Sequence, residues 1–149
     1  MGHPNDRRVE RVFLDANVLF SAAIGSVVCR TICALPKVLL VTSDYCAEEA
    51  RRNLAAKGFD DGSDWLVSQL TTIQIVPTPP PATWRKVAGH LPDNAISDRP
   101  VLAAAVACRC DTLITGNTRD FGRLIAVDHP APGLPTVVTP RVFLSRGPV

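Results

Sequence analysis

Apolar and polar positions fall into blocks along this chain. Four or five short apolar β-type runs stand out: RVFLD (11–15), VLLVT (38–42), TIQIV (72–76), TLIT (112–115) and TVVT (136–139). Stretches with helical patterning lie between them. That alternation predicts crossover helices over a mainly parallel sheet. The runs lack strict polar/apolar alternation, as expected of strands covered on both faces. The fold class is therefore α/β, a three-layer α/β/α sandwich with helices outside a central sheet of four or five strands.

After the first run, Asn17 can cap a helix, Gly25 and Ser26 break it, and a second helix ends near Pro36. SDYCAEEARRNLAAKG gives the clearest helix, capped by Ser43 or Asp44 and stopped at Gly58. A short helix covers DWLVSQL, and the proline-rich stretch from Val76 opens a surface excursion with a helical turn or two around Trp84 to Ala88. SDRPVLAAAVACRC reads as a strong helix with Ser97 or Asp98 at its start and Pro100 in the first turn.

At 149 residues and 46% apolar composition, the chain supports one domain over residues 1–149, with residues 1–10 as a flexible N-terminal extension. Sixteen Lys and Arg against fourteen Asp and Glu leave a formal charge of +2, so any argument for binding a polyanion must be local. The N-terminus has no apolar signal segment, and the five cysteines are an odd number without the spacing of a small secreted domain. A cytosolic, reduced setting is expected. Residues 18–41 are interrupted by Arg30, Pro36 and Lys37, so no membrane span is expected. Cys29 with Cys33 and Cys108 with Cys110 suggest at most a weak zinc site, and read better as small buried apolar side chains.

In open α/β sheets, ligands bind beyond the carboxyl ends of the strands where strand order reverses. With the order 3-2-1-4-5, Asp15 at the end of the first run faces residues 115–120 after the fourth. Glu49, in the helix after strand two, and Asp98, at the head of the helix before strand four, can reach the same cleft. Three carboxylates sharing one cleft repel unless a cation joins them. Hard oxygen donors without nearby His or Cys favour Mg²⁺, with Mn²⁺ as substitute, over zinc. Blander alternatives stay open for each acid. Asp15 could cap a helix, Asp98 could serve only as a dipole partner, Glu49 could pair in solvent with Arg52 or Asn53, and Asp120 could close a turn.

The ordered set VFLDANVLFSA, TSDYCAEEARRNL, SDRPVLAAAVACRCDTLITGNTRDF and VVTPRVFL, spanning most of residues 11–144, resembles the PIN-domain family. Within that family it is similar to the VapC-like toxin ribonucleases of bacterial toxin–antitoxin pairs. The resemblance implies a PIN-like sandwich and a metal-dependent ribonuclease, in which Asp15, Glu49 and Asp98 match the first three acids. Glu48 is the poorer match for the second. At the fourth acidic position stands Asn117, a departure that puts a second metal site in doubt, with Asp120 able to supply the missing charge. The resemblance further implies a small antitoxin partner and a homodimer.

The resulting expectation is a water nucleophile activated by Mg²⁺ held on Asp15, Glu49 and Asp98, with Thr115 or Asn117 positioning water or a metal ligand, giving 5′-phosphate and 3′-hydroxyl products. Arg51, Arg52, Arg99, Arg119 and Arg123 are candidates for holding RNA phosphates. Aromatic residues are only 5% of the chain, which argues against a base-stacking platform. Two alternatives are a PIN-like module that binds RNA or a partner without cutting, and a haloacid-dehalogenase-like phosphatase with Asp15 as nucleophile. The latter lacks its second acid, because position 17 is Asn.

Overall fold

The computed structural model describes residues 9–125, 127 and 130–146. Its sheet has five strands, β1 (Glu10–Leu14), β2 (Val38–Ser43), β3 (Gln74–Val76), β4 (Thr112–Ile114) and β5 (Thr136–Val138), in the order β3-β2-β1-β4-β5. All four pairings are parallel, with Val12 of β1 in register with Leu40 on one side and Thr112 on the other. The order expected from the sequence holds. Of the N-terminal extension expected over residues 1–10, positions 1–8 lie outside the described residues, and Glu10 already opens β1.

Crossovers supply the outer layers. Between β1 and β2 run α1 (Ala16–Ala23) and α2 (Val27–Cys33), and between β2 and β3 run α3 (Asp44–Ala56) and α4 (Asp60–Gln69). A longer excursion before β4 carries α5 (Pro81–Ala88), a 3-10 turn (Ile96–Asp98) and α6 (Arg99–Ala107). Then α7 (Thr118–Ile125) precedes β5, and α8 (Pro140–Ser145) follows it. Among the described residues no single helix is long and apolar enough to cross a membrane.

Local chemistry sets several boundaries. Gly25, at φ +107°, turns the chain between α1 and α2, and the Ser26 hydroxyl accepts from the Cys29 N–H to cap the second of these. Ser43 caps α3 in the same way, through the Cys46 N–H. The first helix departs from expectation: Asp15, not Asn17, is its N-cap, accepting from the Ala16 N–H, and Asn17 sits inside the first turn. Two helices were not expected at all, α7 and α8. The latter has Thr139 as cap and Pro140 in its first turn, where a missing N–H costs no intrahelical bond.

Alternation along β1 divides the core. Val12 and Leu14 enter one cluster with Leu19, Ile32, Leu54, Leu66 and Phe143, contributed by α1, α2, α3, α4 and α8. Phe13 enters the opposite cluster with Val87, Val101, Leu102, Phe121 and Leu124, from α5, α6 and α7. Both faces of the sheet are thus covered, which is why its strands read as continuous apolar runs.

Leu54→Ala would remove a fully buried side chain and leave a cavity, so its expected cost is about 2–5 kcal/mol in denaturant unfolding. Val67→Ala, next to buried Leu66 but 58% exposed, is expected to stay within about 1 kcal/mol. Equal costs would show that the two-cluster packing is wrong.

Candidate active site

Asp15 follows the central strand and faces the loop after β4. Only 3% of it is exposed, so the carboxylate has lost nearly all contact with water. Neutral donors surround it. Its Oδ1 accepts from the Ala16 N–H at 2.7 Å and lies 3.9 Å from the Cys46 thiol; its Oδ2 accepts from the Thr115 hydroxyl at 2.8 Å and the Asn17 amide at 3.2 Å. Burial nonetheless pushes the Asp15 carboxyl above the usual carboxylate range, outweighing these hydrogen bonds.

The same donors lock β1 to the loop after β4. The Gly116 N–H donates to Asn17 Oδ1 at 2.8 Å, and the Asn117 N–H donates to Thr115 Oγ1 at 3.0 Å. A Cβ on Gly116 would come within 3.3 Å of Asn17 Oδ1, so glycine permits this close approach. Asn17 is therefore a clamp between two segments, and its side chain offers no second acid for phosphatase chemistry.

Asp98 reaches the cleft from the opposite layer. It precedes α6 yet makes no capping hydrogen bond, so its carboxylate is not engaged as a cap. It is 7% exposed and is pushed up to about 7, first by desolvation, then by the carboxyl of Asp120 beside it and by the charge of Asp15. The Asp98 carboxyl beside it in turn lowers Asp120, followed by the Asn117 amide. Asn117 bridges the two: its amide nitrogen is 3.4 Å from each Asp98 oxygen and donates to Asp120 Oδ2 at 3.0 Å, while its oxygen accepts from the Asp120 N–H at 3.2 Å. That oxygen thus already accepts one hydrogen bond at the start of α7.

Glu49, on α3, is half-buried, and its carboxyl is raised first by desolvation and then by Asp15, with Arg52 opposing. Glu48 points elsewhere, exposed and ion-paired with Arg51. Tyr45, one helical turn before Glu49, feels the charges of both Glu49 and Asp98 and so lies at the same cleft. Neither Tyr45 nor Cys46 was singled out from the sequence; the i, i+4 spacing of Tyr45 and Glu49 is the signal that places the tyrosine there.

The arginines divide. Arg51 is taken by Glu48, Arg119 is almost fully exposed with Nε 3.5 Å from Asp120, and Arg123 is exposed on α7. Arg99 keeps a buried Nε with no hydrogen-bond partner.

A family model described as "PIN domain" matches residues 11–119. The chain belongs to the PIN-domain family. No curated protein matches it. Among solved structures, this PIN domain is similar to a toxin–antitoxin complex from Klebsiella pneumoniae (TM-score 0.60, 21% identity, 87% of this chain and 97% of that one). It is also similar to VapBC2 from Rickettsia felis bound to a promoter DNA fragment (0.58, 16%, 87% and 98%). A third is the sarcin-ricin loop cleaving toxin VapC20 from Mycobacterium tuberculosis (0.53, 13%, 68% and 86%). At these identities what is shared is the fold.

Whether the PIN domain's acids suit a cation can be judged from their surroundings. Asp15, Glu49 and Asp98 form no ion pair with Lys or Arg among the described residues; burial raises all three, and the Asp15 charge adds to the rise at Glu49 and Asp98. The donors are hard oxygens, and burial pushes the nearby Cys46 thiol up, so it stays protonated. Yet among the described residues no three His, Cys, Asp or Glu side chains are grouped tightly enough to hold a metal ion by themselves. The site fits an ion that keeps part of its water shell, as Mg²⁺ does, better than one needing a closed cage of protein ligands.

A raised carboxyl pKa in the folded state means that folding takes up protons. The Asp98 contribution is complete below about 3.8, its unfolded value, and is lost as pH rises through about 7. In chelator-treated protein, Asp98→Asn is expected to gain stability relative to the parent between pH 5 and pH 8, by about 2 kcal/mol. Paired denaturant melts at the two pH values check this; a gain of opposite sign would overturn the assignment.

Proposed function

We propose that this PIN domain is a Mg²⁺-dependent endoribonuclease of the VapC-like toxin type, with Mn²⁺ able to substitute. What supports the reading is that Asp15, Glu49 and Asp98 come from three separate elements, that the Asp15 charge acts on both of the others, and that none of the three is ion-paired with Lys or Arg among the described residues, Arg52 opposing only at Glu49. Asp15, Glu49 and Asp98 would hold the ion, partly through water. When bound, a hard divalent cation supplies an acidified water nucleophile and charge to offset that building on the phosphoryl oxygens.

The chain's own residues do the rest. Asp15, fixed by Thr115, Asn17 and the Ala16 N–H, is the rigid anion of the site. Asp98 has to give up its raised-pKa proton to hold a cation, and Asp120, kept beside it by the Asn117 amide, is the carboxylate free to take or return a proton at that end of the cleft. Asp120 replaces the carboxylate missing at Asn117. Exposed Arg52, whose charge acts on Glu49, and Arg119, with Nε 3.5 Å from Asp120, flank the cleft and suit RNA phosphates. Hydrolysis in line would leave a 5′-phosphate and a 3′-hydroxyl. A small antitoxin whose segment carries an arginine into the acidic cleft is the expected partner. Ile24 and Val27, exposed where α1 meets α2, suit a homodimer contact. All five cysteines are free, in keeping with a reduced cytosolic setting.

Asp15→Asn keeps the shape of the side chain and its helix cap, and is expected to reduce Mg²⁺-dependent RNA cleavage by at least about a hundredfold with an unchanged circular dichroism spectrum. Asp98→Asn should do the same, while Glu48→Gln, on the solvent side of α3, should cleave like the parent. Full cleavage by Asp15→Asn, or cleavage insensitive to a chelator, would refute the nuclease reading. Tight RNA binding by the parent without turnover would support the binding-only module instead.

A further inference from the structure

At the opposite edge of the sheet from the acids, α6 ends in a construction that the nuclease reading does not use. Its last turn closes with the Cys110 N–H on the Ala105 carbonyl and the Arg109 N–H on the Val106 carbonyl, both at 3.0 Å. This is the paired hydrogen-bond pattern of a Schellman end. Glycine commonly takes the left-handed position in such a cap, but here it is Arg109, at φ +55°, the only non-glycine residue with positive φ among the described residues. The turn brings the flanking side chains together, and the sulfurs of Cys108 and Cys110 lie 3.2 Å apart.

The surroundings of the pair are polar on one side. Arg11 Nε donates to the Cys108 carbonyl at 3.0 Å, which fixes a guanidinium beside the two thiols. Cys108 is half-buried and next to exposed Arg109, so a small solute can reach it, whereas Cys110 is 7% exposed beneath it. The Cys110 thiol hydrogen-bonded to it, ahead of the Arg11 charge, holds Cys108 down to about 7, and Cys110 is pushed up. The remaining cysteines differ. Cys29, Cys33 and Cys46 are all buried, and burial pushes Cys33 up to about 12. Those three fit the expectation of small apolar side chains; Cys108 and Cys110 do not.

We propose that Cys108 and Cys110 form a peroxide-reactive dithiol, a reversible modification site that closes to a disulfide. The Cys108 thiolate attacks one peroxide oxygen, so that an S–O bond forms as the O–O bond breaks; sulfur gives up two electrons and becomes a sulfenic acid, and the other oxygen leaves as hydroxide or alkoxide, protonated by solvent to water or an alcohol. The Cys110 sulfur then attacks the Cys108 sulfur, the S–O bond breaks, and hydroxide leaves with the thiol proton as water. Closure requires the sulfurs to move about 1.2 Å nearer, from 3.2 Å to the bond length of about 2.0 Å. A thiol reductant reverses it by exchange. Among the described residues no further His, Cys, Asp or Glu joins the two thiols in a group that could hold a metal ion.

The test exposes the folded whole chain briefly to hydrogen peroxide at pH 7, then unfolds it in denaturant and alkylates it, with intact and peptide masses read against an untreated sample. Five alkylated cysteines should fall to three, with Cys108 and Cys110 the pair lost, and dithiothreitol should restore all five. In Cys110→Ser, Cys108 should instead be captured by a sulfenic-acid reagent such as dimedone. Cys108→Ser should leave Cys110 at least about tenfold slower to react. Five reactive thiols after peroxide, or loss of Cys29, Cys33 or Cys46 at the same rate, would overturn the proposal.

Discussion

A carboxylate stripped of water at the end of the central strand is the constraint around which this fold is arranged. Asp15 is 3% exposed, and no Lys or Arg among the described residues pairs with it. Burying an unpaired charge is costly. The surrounding chain lowers that cost with a backbone N–H, a hydroxyl and an amide, all neutral, and with the positive end of α1, which Asp15 itself caps. These donors moderate the charge without cancelling it. What remains is a buried carboxyl still raised above its ordinary range, the feature on which the proposed cation site rests.

The neutral donors also explain the loop after β4. Thr115 Oγ1 donates to Asp15 and accepts from the Asn117 N–H, so one hydroxyl couples the anion to the start of α7. Asn117 then spends its oxygen on the Asp120 N–H and turns its nitrogen toward the carboxyls of Asp98 and Asp120. An aspartate at 117 would place a third carboxylate against those two. The amide donates where that group would repel. The departure at this position and the presence of Asp120 three residues later thus make one arrangement, in which charge is displaced by a helical turn.

The parallel sheet could be read from the sequence because strands buried on both faces leave short apolar runs without alternation, and the common order 3-2-1-4-5, which the structure has, then set Asp15 opposite residues 115–120 across the switch between β1 and β4. The acids on separate helices followed from that placement. Finer features did not follow. Asn17 was expected to cap α1, but Asp15 does so while also serving the cleft, a double use that residue preferences alone do not separate. Helix α7 was read as loop, although Asn117 with Asp120 three residues on is a capping pattern and Phe121, Leu124 and Ile125 share one helical face. Its short length and Gly122 obscured the period. The closeness of Cys108 and Cys110 depends on Arg109 adopting a left-handed backbone, which no spacing rule forecasts for an arginine.

Helix α6 connects the two chemistries of the molecule and also keeps them apart. Asp98 precedes it in the acidic cleft, and Cys108 follows it at the far edge of the sheet. Its nine residues rise roughly 14 Å at about 1.5 Å each. At that separation two unit charges interact by about 1 kcal/mol at an effective dielectric of about 20, so losing a thiolate charge at Cys108 would be felt only weakly at Asp98 by the field alone. Any larger influence would have to be mechanical, through a shift of the helix. Residues Pro100 to Ala105 are all buried between the sheet and the α5 layer, and a shift would open voids along that whole length. Oxidation at one end is therefore confined to the turn that carries it, and the carboxylates at the other end keep their geometry.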